Sequence, residues 1–349
     1  MATAPVPAAD AVAWLLESDE PAIRGMARRD LLGVPSSADL DKVLAGPTVR
    51  RLLAGQAADG GFAEHPYRKW TGAHWRLVSL VELEVPAGEP RALAAVEGVL
   101  GWLTDRGRLA RFRPAADGLI RSDASIEGNA LAVACRLGMA ADPRVRMLAE
   151  ALIEWQWPDG GWNCDRGASG RRSSFHESLI PGWGLFEYAR ATGERAAADS
   201  AGRAAELFLE HRLFRRHGTG EPIHPSWVVL HYPPYWHYDF GQGLHLLARM
   251  GRAGDPRSAD ALDLLEARRR PDGRWTAGAR WWSPPGSDRT VEVVDWGAGV
   301  GSAMITLNAL RVLKAAGRLQ GREGPIGASG YTPDSDDEVP VPADGLERA

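Results

Sequence analysis

Cysteine is nearly absent from this chain of 349 residues, with Cys135 and Cys164 far apart in the sequence. Two such residues cannot build the disulfide framework on which small secreted domains depend, so that class of protein is excluded. The scarcity fits a protein that is kept in a reducing compartment. We therefore expect a cytoplasmic location.

Long apolar runs and a marked net charge are missing as well. No stretch reaches the roughly 18 uninterrupted apolar residues that cross a bilayer. The first residues, MATAPVPAADAVAW, lack a basic segment followed by a long apolar one. We expect neither a transmembrane helix nor a signal peptide. The net charge of -4 is small for this length, which argues against nucleic acid as a partner.

Strict alternation of apolar and polar residues is also scarce, so we expect no substantial sheet. The sequence instead repeats a helical segment that ends on glycine, a residue suited to the left-handed position after a helix. These segments end near Gly33, Gly88, Gly138, Gly193, Gly251 and Gly317. Successive glycines are roughly 50 to 66 residues apart by subtraction, which is enough for two helices and a loop.

After the first unit, each repeat has the same internal order. An amphipathic segment is followed by a Gly-rich turn, at 59–62, 159–162 and 272–275, and then by a more apolar segment. Apolar positions recur at the helical spacings of three and four, and one hairpin cannot bury its apolar face alone. The sequence predicts a single all-α domain over 1–320, an (α/α)6 barrel or toroid of about six hairpins. The Gly-, Pro- and acid-rich tail at 321–349 is predicted to be disordered.

The turns carry a resemblance to a known family. Residues 156–162 read QWPDGGW, residues 56–62 read QAADGGF, and residues 269–275 read RRPDGRW. They are similar to the Gln-x-x-x-Gly-x-Trp repeats of squalene-hopene cyclases and protein prenyltransferase β subunits. The hairpin pattern extends the resemblance over residues 8–318. It implies a terpenoid cyclase or prenyltransferase toroid, in which the motif residues serve as scaffold.

In a ring of hairpins, the residues that follow the turns would lie at the mouth of the central cavity. Residues of the types that bind metals occur at these positions. Cys164, His176 and His237 come from adjacent units, and a thiolate with two imidazoles suits zinc with one open position. Prenyltransferase β subunits hold zinc with Asp, Cys and His at this mouth, so the resemblance implies the same cofactor. Their Asp lies two residues before the Cys, whereas here Asn163 precedes Cys164 and Asp165 follows it. No ligand therefore transfers residue by residue.

Acid–base chemistry is the second hypothesis for the same region. Asp239 and His237 are the predicted acid/base pair, and Asp123 is a further catalytic candidate. Class II terpenoid cyclases protonate an alkene with a carboxylic acid and stabilise the resulting cations on aromatic faces. His237 cannot be both a zinc ligand and a free base, so the two hypotheses exclude each other at that residue.

The substrate is expected to be a small, largely apolar, isoprenoid-like molecule in the central cavity. Its predicted contacts are aromatic and polar residues at the mouth: Trp70, His74, Trp75, Glu127, Asn129, Tyr232, Tyr235, Trp236, Tyr238 and Trp296. Two alternatives remain open. One is a non-catalytic ring that binds a lipid, a peptide or a protein partner. The other is a glycan-active α/α barrel, which needs two carboxylates at a set separation across the sugar.

Overall fold

The structure is a computed structural model that describes residues 8–34, 37–62, 65–167, 170–288, 291–297 and 301–319. Within these residues helices are the only regular elements, and β-structure is confined to isolated bridges such as that between Trp162 and Ser174. The prediction of an all-α protein is therefore confirmed. The predicted tail at 321–349 lies outside the described residues.

The helices alternate between two sets. The buried set, enclosed on most faces, consists of α2 (Pro21–Met26), α5 (Ala73–Glu82), α8 (Ala124–Arg136), α10 (Phe175–Thr192), α12 (Phe240–Arg249) and α14 (Ala303–Ala315). The flanking set, buried along one face, consists of α1 (Ala8–Leu16), α4 (Pro47–Leu53), α6 (Pro90–Leu103), α9 (Pro143–Trp155), α11 (Arg195–Glu210) and α13 (Ala259–Ala267).

Several short segments complete the chain trace. The helices α3 (Ser37–Leu40) and α7 (Arg106–Leu109) have one turn each, and a π-helical turn at Ala27–Leu31 continues α2. Single 3₁₀ turns lie at Val43–Ala45, Pro225–Val228 and Pro256–Ser258.

The helix ends follow the glycine rule that the sequence suggested. All six glycines at the ends of the repeats have positive φ, from 67° at Gly33 to 88° at Gly138. An L-residue would be strained in this conformation, whereas glycine adopts it freely. The predicted left-handed positions after the helices are therefore confirmed.

Each Gly-rich turn lies between the flanking helix and the buried helix of one repeat. In the second copy, the Gln156 side-chain amide donates to the carbonyl of Gly160 at 2.7 Å and to that of Ser200, in α11, at 2.9 Å. Gln56 makes the equivalent pair of bonds to Gly60 and to Arg91, in α6. The turn glutamine thus holds its own turn closed and ties it to a neighbouring flanking helix.

The packing of the helices follows chain order and then returns to the start. The helix α8 packs on α5, α9 and α10, and α12 packs on α13 and α14, while α14 also contacts α1 and α2. Arg311 in α14 donates to the Asp30 carboxylate at 2.6 Å, and the Lys314 ammonium donates to the Asp30 carbonyl at 2.7 Å. The last described helix is therefore joined to the first buried helix by buried and half-buried polar contacts.

Substitution of Gly160 by alanine tests the turn. Gly160 has a φ of 96°, and a Cβ there would lie 2.6 Å from the Arg203 carbonyl oxygen in α11. We expect Gly160→Ala to lower the free energy of unfolding by about 3 kcal/mol, since backbone strain and overpacking add. The control is Gly218→Ala, where φ is 85° and a Cβ meets no described atom within 4 Å. It should cost about 1 kcal/mol, from strain alone. Equal losses in urea titrations would contradict the packing role.

Candidate functional site

Three buried helices begin close to the residues in which the sequence predicted chemistry. Asp123, Ser174 and Asp239 are the N-cap residues of α8, α10 and α12. The Ser174 side chain accepts from the Glu177 amide, and Tyr238, just before α12, donates its amide to Nδ1 of His176 at 3.0 Å. The starts of α10 and α12 are therefore in direct contact.

Asp123, Cys164 and Glu177 form one cluster, which we call the thiol–carboxyl cluster. One ligand atom from each side chain lies within 4.8 Å of the other two. Glu177 is fully buried, whereas Asp123 and Cys164 are partly exposed. Cys164 is placed by the loop that follows Trp162, and the antiparallel bridge between Trp162 and Ser174 closes this loop. The cluster thus combines residues from two successive units.

In the absence of a cation, the surroundings of the cluster hold protons on Glu177 and Cys164. Burial, and then the neighbouring Asp123 charge, raise the pKa of Glu177 to about 8. Burial, followed by the charges of Glu177 and Asp123, raises the pKa of the Cys164 thiol well above its usual range. Glu177 also accepts the Ser125 amide at 2.8 Å, so it caps α8 from the neighbouring helix. A carboxyl and a thiol therefore hold their protons at neutral pH in a poorly solvated place.

The predicted metal ligands do not all meet. In the described part of the chain, the thiol–carboxyl cluster contains Cys164 but neither His176 nor His237. Burial lowers the pKa of His176 to about 3. The His237 ring stacks on Trp281, with centroids 3.8 Å apart. Glu177 was not among the predicted ligands, although its place in the Ser174-Phe175-His176-Glu177 capping box was a sequence signal that it sits at a helix start.

Asp239 pairs with a different histidine from the predicted one. Its carboxylate is fully buried and accepts from Nδ1 of His231 at 2.6 Å and from the His231 amide at 3.0 Å. The other oxygen accepts from the Gln242 amide at 3.0 Å and so caps α12. The expected partner, His237, instead lies beside His231, with ring centroids 6.0 Å apart. The acid/base pair that the structure brings together is therefore Asp239 with His231.

Most of the predicted aromatic contacts form one packed group. Trp70 stacks on Tyr235 with centroids 4.7 Å apart and meets Trp75 edge to face at 4.9 Å. Trp236 lies beside Trp70 at 6.0 Å, and the Lys69 ammonium lies over the Trp236 ring. All four rings are buried, so they form a rigid, electron-rich group inside the core.

All three predicted tyrosines and Trp296 have structural partners. The Tyr235 hydroxyl donates to buried Glu292, whose pKa burial raises to about 7. The Tyr232 hydroxyl donates to Glu82 at 3.3 Å, and Trp296 packs edge to face on the Tyr232 ring. Tyr238 donates to the Leu213 carbonyl at 2.5 Å and packs on Phe208, so its ring belongs to the core.

The predicted polar contacts near α5 and α8 are deeply buried. His74 meets Trp102 edge to face at 6.4 Å, and burial lowers the pKa of His74 to about 3. Glu127 forms an ion pair with Arg108, while burial raises its pKa. The Asn129 amide finds no hydrogen-bond partner among the residues that the structure describes. All three residues are buried in the fold, which their spacing in the sequence does not predict.

Comparison of the chain with protein-family models, with curated proteins and with solved structures gave no match. Among the described residues, no helix combines the length and the apolar character needed to span a bilayer. What the site can do must therefore be argued from its own geometry.

The raised pKa of Glu177 predicts a particular dependence of stability on pH. The usual pKa of a glutamate is 4.5, and burial raises that of Glu177 to about 8, so between these values the unfolded chain loses a proton that the folded chain keeps. Glu177 therefore lowers stability as pH rises, by about 1.4 kcal/mol per unit. In chelator-treated protein, Glu177→Gln should flatten the slope between pH 5.5 and 7.5 by about that amount. Exposed Glu210→Gln is the control. Parallel slopes in urea titrations would refute the shift.

The Asp239 pair makes a second prediction. An asparagine at 239 offers one acceptor and one donor where the fold supplies three donors, so a buried N–H loses its partner. We expect Asp239→Asn to lower the free energy of unfolding by about 3 kcal/mol. The matched control is Asp142, the partly exposed N-cap residue of α9, because asparagine caps a helix as well as aspartate does. A loss for Asp239→Asn no larger than for Asp142→Asn would rule out this role.

Proposed function

We propose that this chain is an enzyme of the terpenoid cyclase and prenyltransferase type that uses zinc at the thiol–carboxyl cluster. Its substrate would be a small, largely apolar, isoprenoid-like molecule. The observation that carries the proposal is the meeting of Asp123, Cys164 and Glu177 within 4.8 Å. Both cysteines are free thiols, which fits the expected cytoplasmic location.

The ring architecture is part of the same proposal. Six buried helices alternate with six flanking ones, and α14 contacts both α1 and α2. The ion pair between Arg311 and Asp30 supports closure of the hairpins into an (α/α)6 toroid. In such a ring the starts of α8, α10 and α12 would share one rim, because alternate helices of stacked hairpins run in the same direction.

The donor set of the cluster suits zinc. Zn–S bonds of about 2.3 Å and Zn–O bonds of about 2.0–2.2 Å at tetrahedral angles put ligand atoms about 3.3–3.7 Å apart. That separation is compatible with the 4.8 Å limit within which the three side chains meet. Burial, and then the neighbouring acidic charges, raise the pKa of Glu177 and of Cys164, and a bound dication would oppose both effects by favouring the deprotonated ligands. When bound, zinc would supply a Lewis acid or hold a nucleophile such as a thiolate.

The aromatic group supports an apolar substrate. The group consists of four buried rings, those of Trp70, Trp75, Tyr235 and Trp236. Electron-rich rings that are fixed by their mutual packing would stabilise a developing positive charge on a substrate bound next to them.

Metal-free acid catalysis is the second candidate function. It is favoured by the place of Glu177, which is fully buried beside Asp123. Burial, and then the Asp123 charge, raise the pKa of Glu177 to about 8, and a carboxyl that is protonated at neutral pH can act as a general acid. Asp123 beside it would then carry the charge that opposes loss of this proton. The two candidates differ in their need for the Cys164 thiol.

Metal analysis decides between these candidates. We expect natively purified protein, prepared without chelator, to carry close to one zinc per chain, and Cys164→Ser to lose it. The matched control is Cys135→Ser, which changes the other thiol, a buried residue outside the cluster. Loaded protein would then be screened with prenyl diphosphates and thiol or amine acceptors.

Two outcomes would contradict the zinc proposal: metal-free wild-type protein, or Cys164→Ser protein that keeps its zinc. Loss of activity in Glu177→Gln alone, with Cys164→Ser fully active, would then support the metal-free acid.

A further inference from the structure

The Asp239–His231 pair lies beside a small cavity between α12 and α14. Nε2 of His231 is buried and has no hydrogen-bond partner among the described residues. The cavity, of about 30 Å³, is lined by His231, Asp239, Gln242, His245 and Asn308 together with apolar side chains. A bound water needs a cavity of about 10–15 Å³ and two or more polar neighbours, so this cavity has both the room and the partners for a water.

The pair also fixes which nitrogen of His231 is available. The Asp239 carboxylate accepts from Nδ1 at 2.6 Å, so Nδ1 carries the proton and Nε2 is the bare acceptor. Burial of an acceptor without a partner is unfavourable, and a water in the cavity would relieve that cost.

A polar stripe continues from this pair along α12. Asp239, Gln242, His245 and Arg249 follow one another at spacings of three, three and four, which places them along one face of the helix. Every one of these side chains is mostly buried. Such a stripe is costly inside a core, and an apolar helix face would pack more favourably.

The far end of the stripe reaches carboxylates and arginines from other helices. Arg249 lies 3.8 Å from the Glu82 carboxylate of α5. On α14, Arg311 donates to the Asn308 side-chain oxygen at 3.2 Å, so the amide nitrogen of Asn308 is left as a donor for another group. Burial lowers the pKa of His245, which keeps that ring neutral.

We propose that this cavity is a built water site, in which the water donates a hydrogen bond to Nε2 of His231, the nitrogen that Asp239 leaves without a proton. Asn308 and His245 would donate hydrogen bonds to the water oxygen, so the water would have three polar partners. The site is separate from the thiol–carboxyl cluster and does not depend on zinc there.

Two measurements on the whole protein test the proposal without a known substrate. A crystal structure should show one ordered water within hydrogen-bond distance of His231 Nε2. In protein labelled with ¹⁵N-histidine, His231 should be the Nδ1–H tautomer, and its ring should show magnetisation transfer from water. Assignment would use His231→Gln.

A variant that fills the cavity tests whether the water contacts His231. His245→Phe should displace the water, abolish the water signal at His231 and slow exchange of its Nδ1 proton at least tenfold, because that exchange requires a proton on Nε2. His217→Phe, on an exposed loop, is the matched control and should change neither. If His245→Phe does not fold, His245→Leu serves the same purpose.

An empty cavity, an Nε2–H tautomer, or exchange that His245→Phe leaves unchanged would each overturn the proposal. Loss of zinc in the metal analysis would leave these results untouched, so the two proposals fail independently.

Discussion

The side-chain amide of Gln156 bonds to two backbone carbonyls, one in its own turn and one in the flanking helix α11. Because the same two-sided bond recurs at Gln56, successive hairpins are held in one register along the chain. The Gly160 turn can sit against α11 only because glycine leaves room there. The placement of the loop that carries Cys164 depends on this register, since that loop begins directly after the turn.

Local features were the part of the fold that the sequence predicted well. Glycines after helices and DGGW-type turns act over a few residues, so their conformations can be predicted from the spacing of the residues alone. Pairings between segments were harder. His231 and His237 are both near Asp239 along the chain, and only the backbone path decides which ring reaches the carboxylate. Likewise, Glu177 joins Asp123 across 54 residues, a distance over which periodicity carries no information.

The interior contains several buried carboxyl groups. Glu82, Glu177 and Glu187 are all buried, and burial raises the pKa of each of them. Each such group lowers stability relative to an apolar residue of similar size unless its partners compensate. The Trp183 indole and Arg190 satisfy Glu187 in this way, whereas Glu177 shares its surroundings with a second acid. The partners of Glu187 indicate a structural role. The raised pKa of Glu177 beside a second acid instead marks a candidate site for chemistry.

The contact between α14 and the first helices also bears on how freely the chain order can be changed. Since α14 packs directly on α1 and α2, the two ends of the described fold are neighbours in space. A circularly permuted chain, with a short linker there and new ends in the exposed loop around Gly218, would keep every helix-to-helix contact. The contacts among the hairpins, rather than the order in which the chain is synthesised, would then determine this architecture.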